Sequence, residues 1–295
     1  MILLDGKKIS NDIKTEIAAE VAEMKKNGEK VPHLAAVIVG NDGASLTYVG
    51  SKVKACERVG FESTMVRLPH TTSEIELLDK IEELNADENI DGFIIQLPLP
   101  PQINTQKVLM AVNPNKDVDG FHPENFGKMA LDMSTFIPAT PFGILELLER
   151  YGVDTKGKHT VVIGRSHIVG RPMSILMGRK GWPGNSTVTL THSHTKNITQ
   201  ITSQADIIIT ALGSPNFLKA EMVKDDVVVI DVGITRVADE NHPKGYIITG
   251  DVDFENVSKK ASFITPVPGG VGPMTIAMLL KNTLLAREQK RRSYS

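Results

Sequence analysis

Two side chains near residue 50 have the types and spacing of an acid–base pair. Tyr48 and Lys52 are four residues apart in a stretch with a helical pattern, so they share one face of the predicted helix. A lysine that loses solvent in a cleft has its pKa lowered toward neutrality, as a general base requires. Spacing alone favours a solvated surface lysine, so other residues must support the catalytic interpretation.

Two further polar residues follow where open α/β sheets bind ligands. Gln96 lies at the carboxyl end of the apolar run 91–97, which predicts a buried strand. Its amide can both donate to and accept from a substrate or Lys52. Asp119 lies in the polar segment 113–125 and can accept hydrogen bonds from an amino-substituted heterocycle. Together with Lys52, these residues indicate a polar site for a small molecule.

A glycine between a strand and a helix predicts a second site, for a nucleotide. Gly164 ends the apolar run 160–164, and the helix start after it supplies free amides and positive partial charge for a pyrophosphate. The spacing is Gly164-x-Ser166-x-x-x-Gly170, which departs from the common G-x-G-x-x-G pattern. An ordinary strand-to-helix turn is therefore the alternative.

The following strand indicates which dinucleotide would bind. NAD-selective sites place an acidic residue about 20 residues further on, but this chain has Thr-His-Ser-His-Thr at 191–195. Arg165 can pair with a 2′-phosphate, with Ser193 as a hydrogen-bond donor. NADP is therefore favoured over NAD. His192 and His194 resemble a metal pair, but no third ligand is near, and we predict no metal site.

Residues 264–275 have the highest density of backbone-setting residues in the chain. They contain three prolines, which fix φ, and three glycines, which permit positive φ or close approach of a ligand. Composition alone leaves two interpretations, a connector between a strand and the last helix or a shaped wall against a flat ligand.

Strand-type and helix-type segments alternate along the chain, which predicts an α/β fold with mostly parallel sheets. The predicted helices are 10–28, 45–59, 73–85, 140–151, a helix ending near 180, and 272–289. The predicted strands are 33–40, 61–68, 91–97, 160–164, 186–190, 206–210 and 227–231. A new strand–helix series from His159 indicates two domains, 1–145 with 273–295 and 146–272. We expect the last helix to pack back onto the first domain.

The composition is ordinary for a soluble globular protein, with 41% hydrophobic and 23% charged residues among 295. The net charge of −2 gives no support for nucleic-acid binding. The lone Cys56 excludes an intrachain disulfide and fits a reducing compartment. The first residues become charged too early for a signal peptide, and no apolar run reaches the roughly 18 residues of a membrane span. We expect a cytoplasmic protein that binds neither membranes nor nucleic acid.

Seven motifs in order along the chain resemble one enzyme family, that of the bifunctional methylenetetrahydrofolate dehydrogenase/methenyltetrahydrofolate cyclohydrolases. They are Tyr48-Val-Gly-Ser-Lys52, Gln96-Leu-Pro-Leu-Pro100, Lys116-Asp-Val-Asp-Gly-Phe121, Pro138-Ala-Thr-Pro141, Gly164-Arg-Ser166 with Val169-Gly-Arg-Pro172, Asp231-Val-Gly-Ile234, and Pro266-Val-Pro-Gly-Gly-Val-Gly-Pro-Met-Thr275. The resemblance implies a folate-binding catalytic domain and a Rossmann-like NADP domain. It also implies oxidation of 5,10-methylenetetrahydrofolate by NADP, then hydrolysis to 10-formyltetrahydrofolate for purine, methionine and histidine biosynthesis.

The resemblance also implies roles for individual residues. Lys52 is the key cyclohydrolase group, Gln96 tunes it, Tyr48 stacks near the pterin, and Asp119 anchors the pterin ring. The remaining implied substrate contacts are Ile95, Leu97, Pro268, Gly269, Gly270 and Val271, with the proline–glycine loop lining the folate and nicotinamide positions. The implied cofactor contacts are Gly164, Arg165, Ser166, Val169, Gly170, Ser193 and Ile234.

One feature of the chain departs from the family pattern. Residues 178–185 form a longer link between helix and strand than the family usually has, which makes Ser193 harder to align than Gly164. Family members are generally homodimers paired through the nucleotide domain, and we expect the same here. The alternatives are a monofunctional dehydrogenase and a non-catalytic folate- or nucleotide-binding regulator, although the presence of Lys52 and Gln96 argues against the first.

Overall fold

The chain forms two α/β units, seen in a computed structural model that describes residues 1–240, 242–243 and 245–293, without the side chains of Ala44 and Ser293. The first unit consists of residues 11–139 and the chain from 276 onward, and the second of residues 1–10 and 140–275. The helices in the described residues are α1 Gly6–Lys26, α2 Gly43–Val59, α3 Glu74–Ala86, α4 Thr105–Ala111, α5 Pro123–Ala130, α6 Ala139–Arg150, α7 Gly170–Gly178, α8 Ile198–Thr202, α9 Phe254–Val257 and α10 Val271–Ser293. The strands are β1 Ile2–Leu3, β2 His33–Val39, β3 Glu62–Leu68, β4 Gly92–Ile95, β5 His159–Ile163, β6 Thr187–Thr191, β7 Ile207–Thr210, β8 Val228–Asp231, β9 Thr235–Ala238, β10 Tyr246–Thr249 and β11 Phe263–Ile264.

The first unit is built on a parallel sheet of three strands in the order β3-β2-β4. In its core, Leu77 and Ile81 of α3 pack with side chains of β2 and β4, including Phe93 of β4. The chain near Asp117 runs beside β4, where the Phe93 N–H donates to the carbonyl of Lys116. Because β3 and β4 lie on opposite sides of β2, the carboxyl ends of β2 and β4 form a switch point, where open α/β sheets bind ligands.

The second unit is built on a parallel sheet of six strands in the order β1-β11-β8-β7-β5-β6. Aliphatic side chains from its central strands, such as Val161, Ile208 and Val229, form a fully buried core. The chain leaves β5 for β6 on one side and then crosses to β7 on the other. The switch point of this sheet therefore lies between the carboxyl ends of β5 and β7.

The structure confirms the predicted α/β class and the packing of the last helix onto the first domain. Asn282 of α10 donates from its amide nitrogen to the carbonyls of Val118 and Ile137, at 2.8 and 2.9 Å. Arg287 donates to the carbonyl of Lys30 at 3.1 Å. These hydrogen bonds hold α10 within the first unit.

The unit boundaries differ from the predicted ones in one main respect. The first ten residues belong to the second unit because β1 pairs in parallel with β11, Ile2 opposite Phe263. The helix α1 also begins at Gly6, before the predicted start at residue 10, and α6 begins at Ala139, just before the predicted start at residue 140. Two-residue strands have no periodic pattern, which is why the sequence did not reveal β1 or β11.

The described parts of the chain contain no helix with both the length and the apolarity needed to cross a membrane.

Candidate active site

Helix α2 brings Tyr48 and Lys52 together in the first unit. The helix begins after Asp42, whose carboxylate accepts a hydrogen bond from the Ser45 N–H at 2.7 Å, and it ends at Gly60 in the left-handed conformation. Lys52 is only 5% exposed, and its ammonium nitrogen lies 4.5 Å from the centroid of the Tyr48 ring. The structure therefore favours a desolvated lysine over the solvated surface lysine that the spacing also allowed.

Gln96 supplies the polar partner of Lys52. Lys52 Nζ donates to Gln96 Oε1 at 3.2 Å, while Gln96 Nε2 donates to the carbonyl of Leu97 at 2.7 Å. Strand β4 ends at Ile95, so Gln96 is the first residue beyond it, and its N–H donates to the carbonyl of Val37 at 2.9 Å. The amide is thus held at the switch point with its oxygen toward the lysine.

Burial and one carboxylate shift the pKa of Lys52 in opposite directions. Burial lowers the pKa of Lys52, and the Asp119 carboxylate raises it by a smaller amount. Burial likewise raises the pKa of Asp119, and the charge of Lys52 opposes that shift. The two groups form an interacting pair in which each retains its charge less readily than it would in water.

The segment that carries Asp119 is held by two neighbours that sequence reasoning did not assign. Lys116 is buried and donates from Nζ to the carbonyls of Leu84 and Asp87, at 2.9 and 2.6 Å. Asp117 accepts hydrogen bonds from the backbone N–H of Phe121 and His122, at 3.1 and 2.7 Å. Burial raises the pKa of Asp117 to about 6. The signal for Asp117 was its position three residues before Gly120, where a carboxylate can close a turn.

The two residues that flank Gln96 differ in exposure. Ile95 is 3% exposed and packs in the core of the first unit, whereas Leu97 is partly exposed. A contact of Ile95 with a ligand would therefore be made mainly by its backbone.

The proline–glycine loop lies in the second unit, between β11 and α10. Gly269 has φ +108°, a conformation that side chains disfavour, and its carbonyl accepts from the N–H of Lys7 at 2.8 Å. A Cβ on Gly6 would collide with the carbonyl of Gly270, so the first turn of α1 packs directly on the loop. Pro268 is exposed at the turn, and Val271 is buried as the first residue of α10.

The turn after β5 has the geometry of a phosphate cradle. Gly164 has φ +113°, and a Cβ there would collide with the carbonyl of Ala211. A Cβ on Gly170 would in turn collide with the carbonyl of Gly164, so only glycines let α7 begin this close to the strand. Ser166 Oγ accepts from the N–H groups of Val169 and Gly170, at 3.2 and 3.3 Å. The start of α7 therefore has a tight backbone surface that fits a pyrophosphate despite the altered glycine spacing.

The residues proposed for a 2′-phosphate are exposed at the same edge of the sheet. Strands β5 and β6 pair with Ile163 opposite Thr191, so the turns carrying Arg165 and Ser193 begin side by side. Both residues are exposed. His192 closes its own turn, accepting from the His194 N–H at 3.2 Å. Among the residues that the structure describes, no group of three or more His, Cys, Asp or Glu side chains could hold a metal ion.

Ile234 follows β8 and is 60% exposed. A Cβ on Gly272 would lie 3.4 Å from Ile234 Cδ1, so this side chain sits beside the start of α10.

A parallel sheet with a phosphate cradle in one unit and a desolvated lysine in the other define a nucleotide-dependent α/β enzyme. Comparison with known proteins gives the family. The model for the catalytic domain of tetrahydrofolate dehydrogenase/cyclohydrolase matches residues 4–119, and the model for its NAD(P)-binding domain matches residues 138–291. The chain belongs to the tetrahydrofolate dehydrogenase/cyclohydrolase family.

Individual relatives match over nearly the whole chain. The Bifunctional protein FolD of Flavobacterium psychrophilum is 83% identical over 291 residues, covering 99% of each chain. The crystal structure of the bifunctional methylenetetrahydrofolate dehydrogenase/cyclohydrolase of Campylobacter jejuni is 46% identical with a TM-score of 0.92, covering 98% of this chain and 99% of that one. The Trypanosoma brucei enzyme, solved with NADP cofactor and an inhibitor, is 37% identical with a TM-score of 0.94 and covers 99% of each chain.

Proposed function

We propose that this protein catalyses two linked reactions of one-carbon folate metabolism. It oxidises 5,10-methylenetetrahydrofolate to 5,10-methenyltetrahydrofolate with NADP, and it then hydrolyses the methenyl compound to 10-formyltetrahydrofolate. The observation that carries this proposal is the desolvated Lys52, hydrogen-bonded to Gln96 beside Tyr48 and acted on by Asp119. The bifunctional relatives support it.

Hydrolysis requires proton transfer, which the Lys52 group can supply. Water adds to the methenyl carbon and loses one proton, which gives a neutral hydroxyl adduct. N5 then takes up a proton as its bond to that carbon breaks, and the hydroxyl loses its proton to leave a formyl group on N10. Because burial lowers the pKa of Lys52, its neutral fraction is larger than that of an exposed lysine, and the neutral amine can accept the proton of the attacking water. An N–H of the Lys52 amine donates to Gln96 Oε1, so the lone pair of the Lys52 nitrogen can accept the proton of the water.

Hydride transfer depends mainly on positioning. NADP, when bound, accepts the hydride of the methylene carbon, and the adjacent folate nitrogens stabilise the cation that remains. We propose that the backbone of Gly164, Val169 and Gly170 holds the pyrophosphate, with the Ser166 hydroxyl fixing their turn. Arg165 and Ser193 bind the 2′-phosphate, and Ile234 contacts the nicotinamide end.

The folate contacts are proposed from the resemblance and from local shape. Tyr48 stacks near the pterin, and Asp119 accepts hydrogen bonds from the pterin ring. Ile95 and Leu97 flank Gln96 in the same site. Pro268, Gly269, Gly270 and Val271 provide a turn whose glycines leave room for a flat ring.

We further propose that the protein is a cytoplasmic homodimer that does not bind nucleic acid, with the nucleotide-binding and catalytic domains corresponding to the second and first units. The near-neutral charge of −2 favours small-molecule substrates over polyanions. Its product would supply formyl groups for purine synthesis, and related one-carbon units for methionine and histidine metabolism.

One assay distinguishes this function from the two alternatives. Purified protein is mixed with 5,10-methylenetetrahydrofolate and NADP, and the absorbances of NADPH and of the methenyl compound are followed together. The bifunctional enzyme forms NADPH while the methenyl compound stays low or decays. A monofunctional dehydrogenase accumulates the methenyl compound in proportion to NADPH, and saturable binding without turnover would identify a regulator.

A further inference from the structure

Two buried carboxylates in the second unit have no role in the chemistry above. Asp231, the last residue of β8, is 3% exposed, and Asp251 is fully buried. The backbone N–H of Asp251 donates to Asp231 Oδ1 at 3.0 Å, so the two residues form one hydrogen-bonded group, here called the aspartate pair.

Asp251 holds the loop that follows β7. Its Oδ2 accepts from the N–H of Leu212 at 2.6 Å and of Gly213 at 3.2 Å, and its Oδ1 accepts from the N–H of Ser214 at 2.7 Å. Three consecutive backbone donors thus converge on one carboxylate, a charge-assisted arrangement that is stronger than neutral hydrogen bonds. This loop begins at Ala211, whose carbonyl abuts Gly164 of the phosphate cradle.

Asp231 holds the loop that follows β8. Its Oδ1 accepts from the N–H of Gly233 at 2.9 Å and from the hydroxyl of Thr210 at 3.1 Å. Its Oδ2 accepts from the N–H of Val252 at 3.0 Å. Burial raises the pKa of Asp231 to about 6, and the backbone N–H donors oppose that shift.

Two glycines pack closely against the carboxyl groups of the aspartate pair. A Cβ on Gly233 would collide with the Asp251 carboxyl, and a Cβ on Gly250 would collide with the Asp231 carboxyl. Gly233 immediately precedes Ile234, whose Cδ1 approaches Gly272 at the start of α10. The pair therefore fixes the loops after β7 and β8, one at the switch point of the sheet and the other carrying Ile234.

We infer that Asp231 and Asp251 are positioning residues for the nicotinamide end of the dinucleotide. This inference rests on the proposed function, because it takes the turn after β5 as the dinucleotide site. Neither carboxylate is exposed enough to touch a ligand; each acts through a loop. Asp231 fixes the backbone that carries Ile234, and Asp251 fixes the position of the loop beside Gly164. A group that only stabilised the fold would affect all ligands of this unit equally.

The test compares two nucleotides on Asp231→Asn. The variant keeps the shape but replaces one acceptor oxygen by a donor, so at least one backbone N–H loses its partner. Dissociation constants are measured by calorimetry for NADP and for 2′,5′-ADP, which has the 2′-phosphate but no nicotinamide. We expect NADP to bind about tenfold more weakly and 2′,5′-ADP to bind within about twofold of the unaltered protein. Equal weakening of both ligands, or no weakening of NADP, overturns the inference.

Asp253→Asn is the matched control. Asp253 is partly exposed, and its carboxylate accepts hydrogen bonds from the side chains of Asn256 and Lys219, so its substitution should leave both affinities unchanged. Binding of 2′,5′-ADP within about twofold also shows that the second unit, which carries Asp231, is folded in Asp231→Asn. An unaltered protein that neither oxidises nor hydrolyses folates would refute the proposed function, whereas the binding comparison still tests the aspartate pair.

A second measurement needs no substitution and covers the case in which the variant fails to fold. Hydrogen exchange is followed in the unaltered protein with saturating NADP or 2′,5′-ADP. NADP should slow exchange in segments 211–216 and 232–236 more than 2′,5′-ADP does. The same protection with both nucleotides, or none with either, would contradict a role at the nicotinamide end.

Discussion

Lys52 is where burial has the clearest chemical consequence. A lysine in water has a pKa of about 10.4 and is almost entirely protonated at neutral pH. Removing water from Lys52 lowers its pKa, and Asp119 restores only part of that shift. The result is an amine with a larger neutral fraction than an exposed lysine has, and it keeps a hydrogen bond to Gln96 that fixes its direction.

The Lys52–Asp119 interaction predicts a shift in the pH profile of hydrolysis. The Asp119 charge favours the protonated lysine, so Asp119→Asn should lower the pKa of Lys52 further. The rise of the cyclohydrolase rate with pH should therefore begin at lower pH, even if the maximal rate falls because the pterin contact is lost. The measurement is the rate at saturating methenyltetrahydrofolate across pH, with the exposed Asp79→Asn as control. A shift to higher pH would contradict the predicted sign.

We propose that Arg165 provides the preference for NADP over NAD. Because the Arg165 side chain is exposed beside the cradle, Arg165→Ala should change the stability of the protein little. It should weaken the binding of NADP by about tenfold or more, because a charge-assisted contact is lost. NAD, which has no 2′-phosphate, should be affected far less. Initial rates with each cofactor give the ratio of the two KM values, and the exposed Lys180→Ala should leave that ratio unchanged. An equal rise of the KM for NADP and for NAD would contradict the proposed contact of Arg165 with the 2′-phosphate.

At the scale of elements, long segments with caps are predictable from the sequence and short ones are not. The capping box of Ser73 and Glu76 marks the start of α3, and Gly60, in the left-handed conformation, marks the end of α2. Both signals can be recognised in the sequence. The helices α4 and α5 lie in segments without a predicted helix, because seven or eight residues give too few turns for a periodic pattern. The antiparallel pair β9 and β10 is too short to be predicted for the same reason.

The buried amide of Asn282 is one of the groups that attach α10 to the first unit. Asn282 satisfies the carbonyls of Val118 and Ile137, so Asn282→Ala leaves both without a donor. We expect a loss of about 2–4 kcal/mol in the free energy of unfolding of the first unit. Urea denaturation measures it, and Gln289→Ala on the same helix, which is only partly buried, should change the value by less than about 0.5 kcal/mol. Similar losses in both variants would contradict a specific role of the Asn282 amide.

Gly269 of the proline–glycine loop has space for a side chain, but its backbone conformation is one that side chains disfavour. A Cβ on Gly269 would meet open space, with the nearest atom 3.9 Å away, but the φ of +108° is unfavourable for valine. Gly269→Val should therefore raise the KM for the folate substrate and reduce turnover while the protein remains folded. Gly28→Val, at φ +71° after α1, imposes a similar strain elsewhere and serves as the control. Unchanged folate kinetics in Gly269→Val would make the loop a connector only.

At the scale of the whole molecule, the sequence predicts the two-domain α/β class but not where every segment belongs. Residues 1–10 join the second unit through the pairing of β1 with β11, at the other end of the chain, and no local pattern encodes such a contact. The Lys52–Gln96 contact could be anticipated, because both residues lie at positions where helices and strands present ligand-binding groups. The aspartate pair could not, since its partners are mainly backbone N–H groups, which almost any residue provides.

The central claim is that one chain carries two reactions and that Lys52 serves only the hydrolysis. The direct measurement is Lys52→Met, assayed with 5,10-methylenetetrahydrofolate and NADP, with the exposed Lys54→Met of the same helix as control. We predict that NADPH still forms while the methenyl compound accumulates in equal amount, and that Lys54→Met behaves like the unaltered protein. Hydrolysis at the unaltered rate in Lys52→Met would contradict the claim.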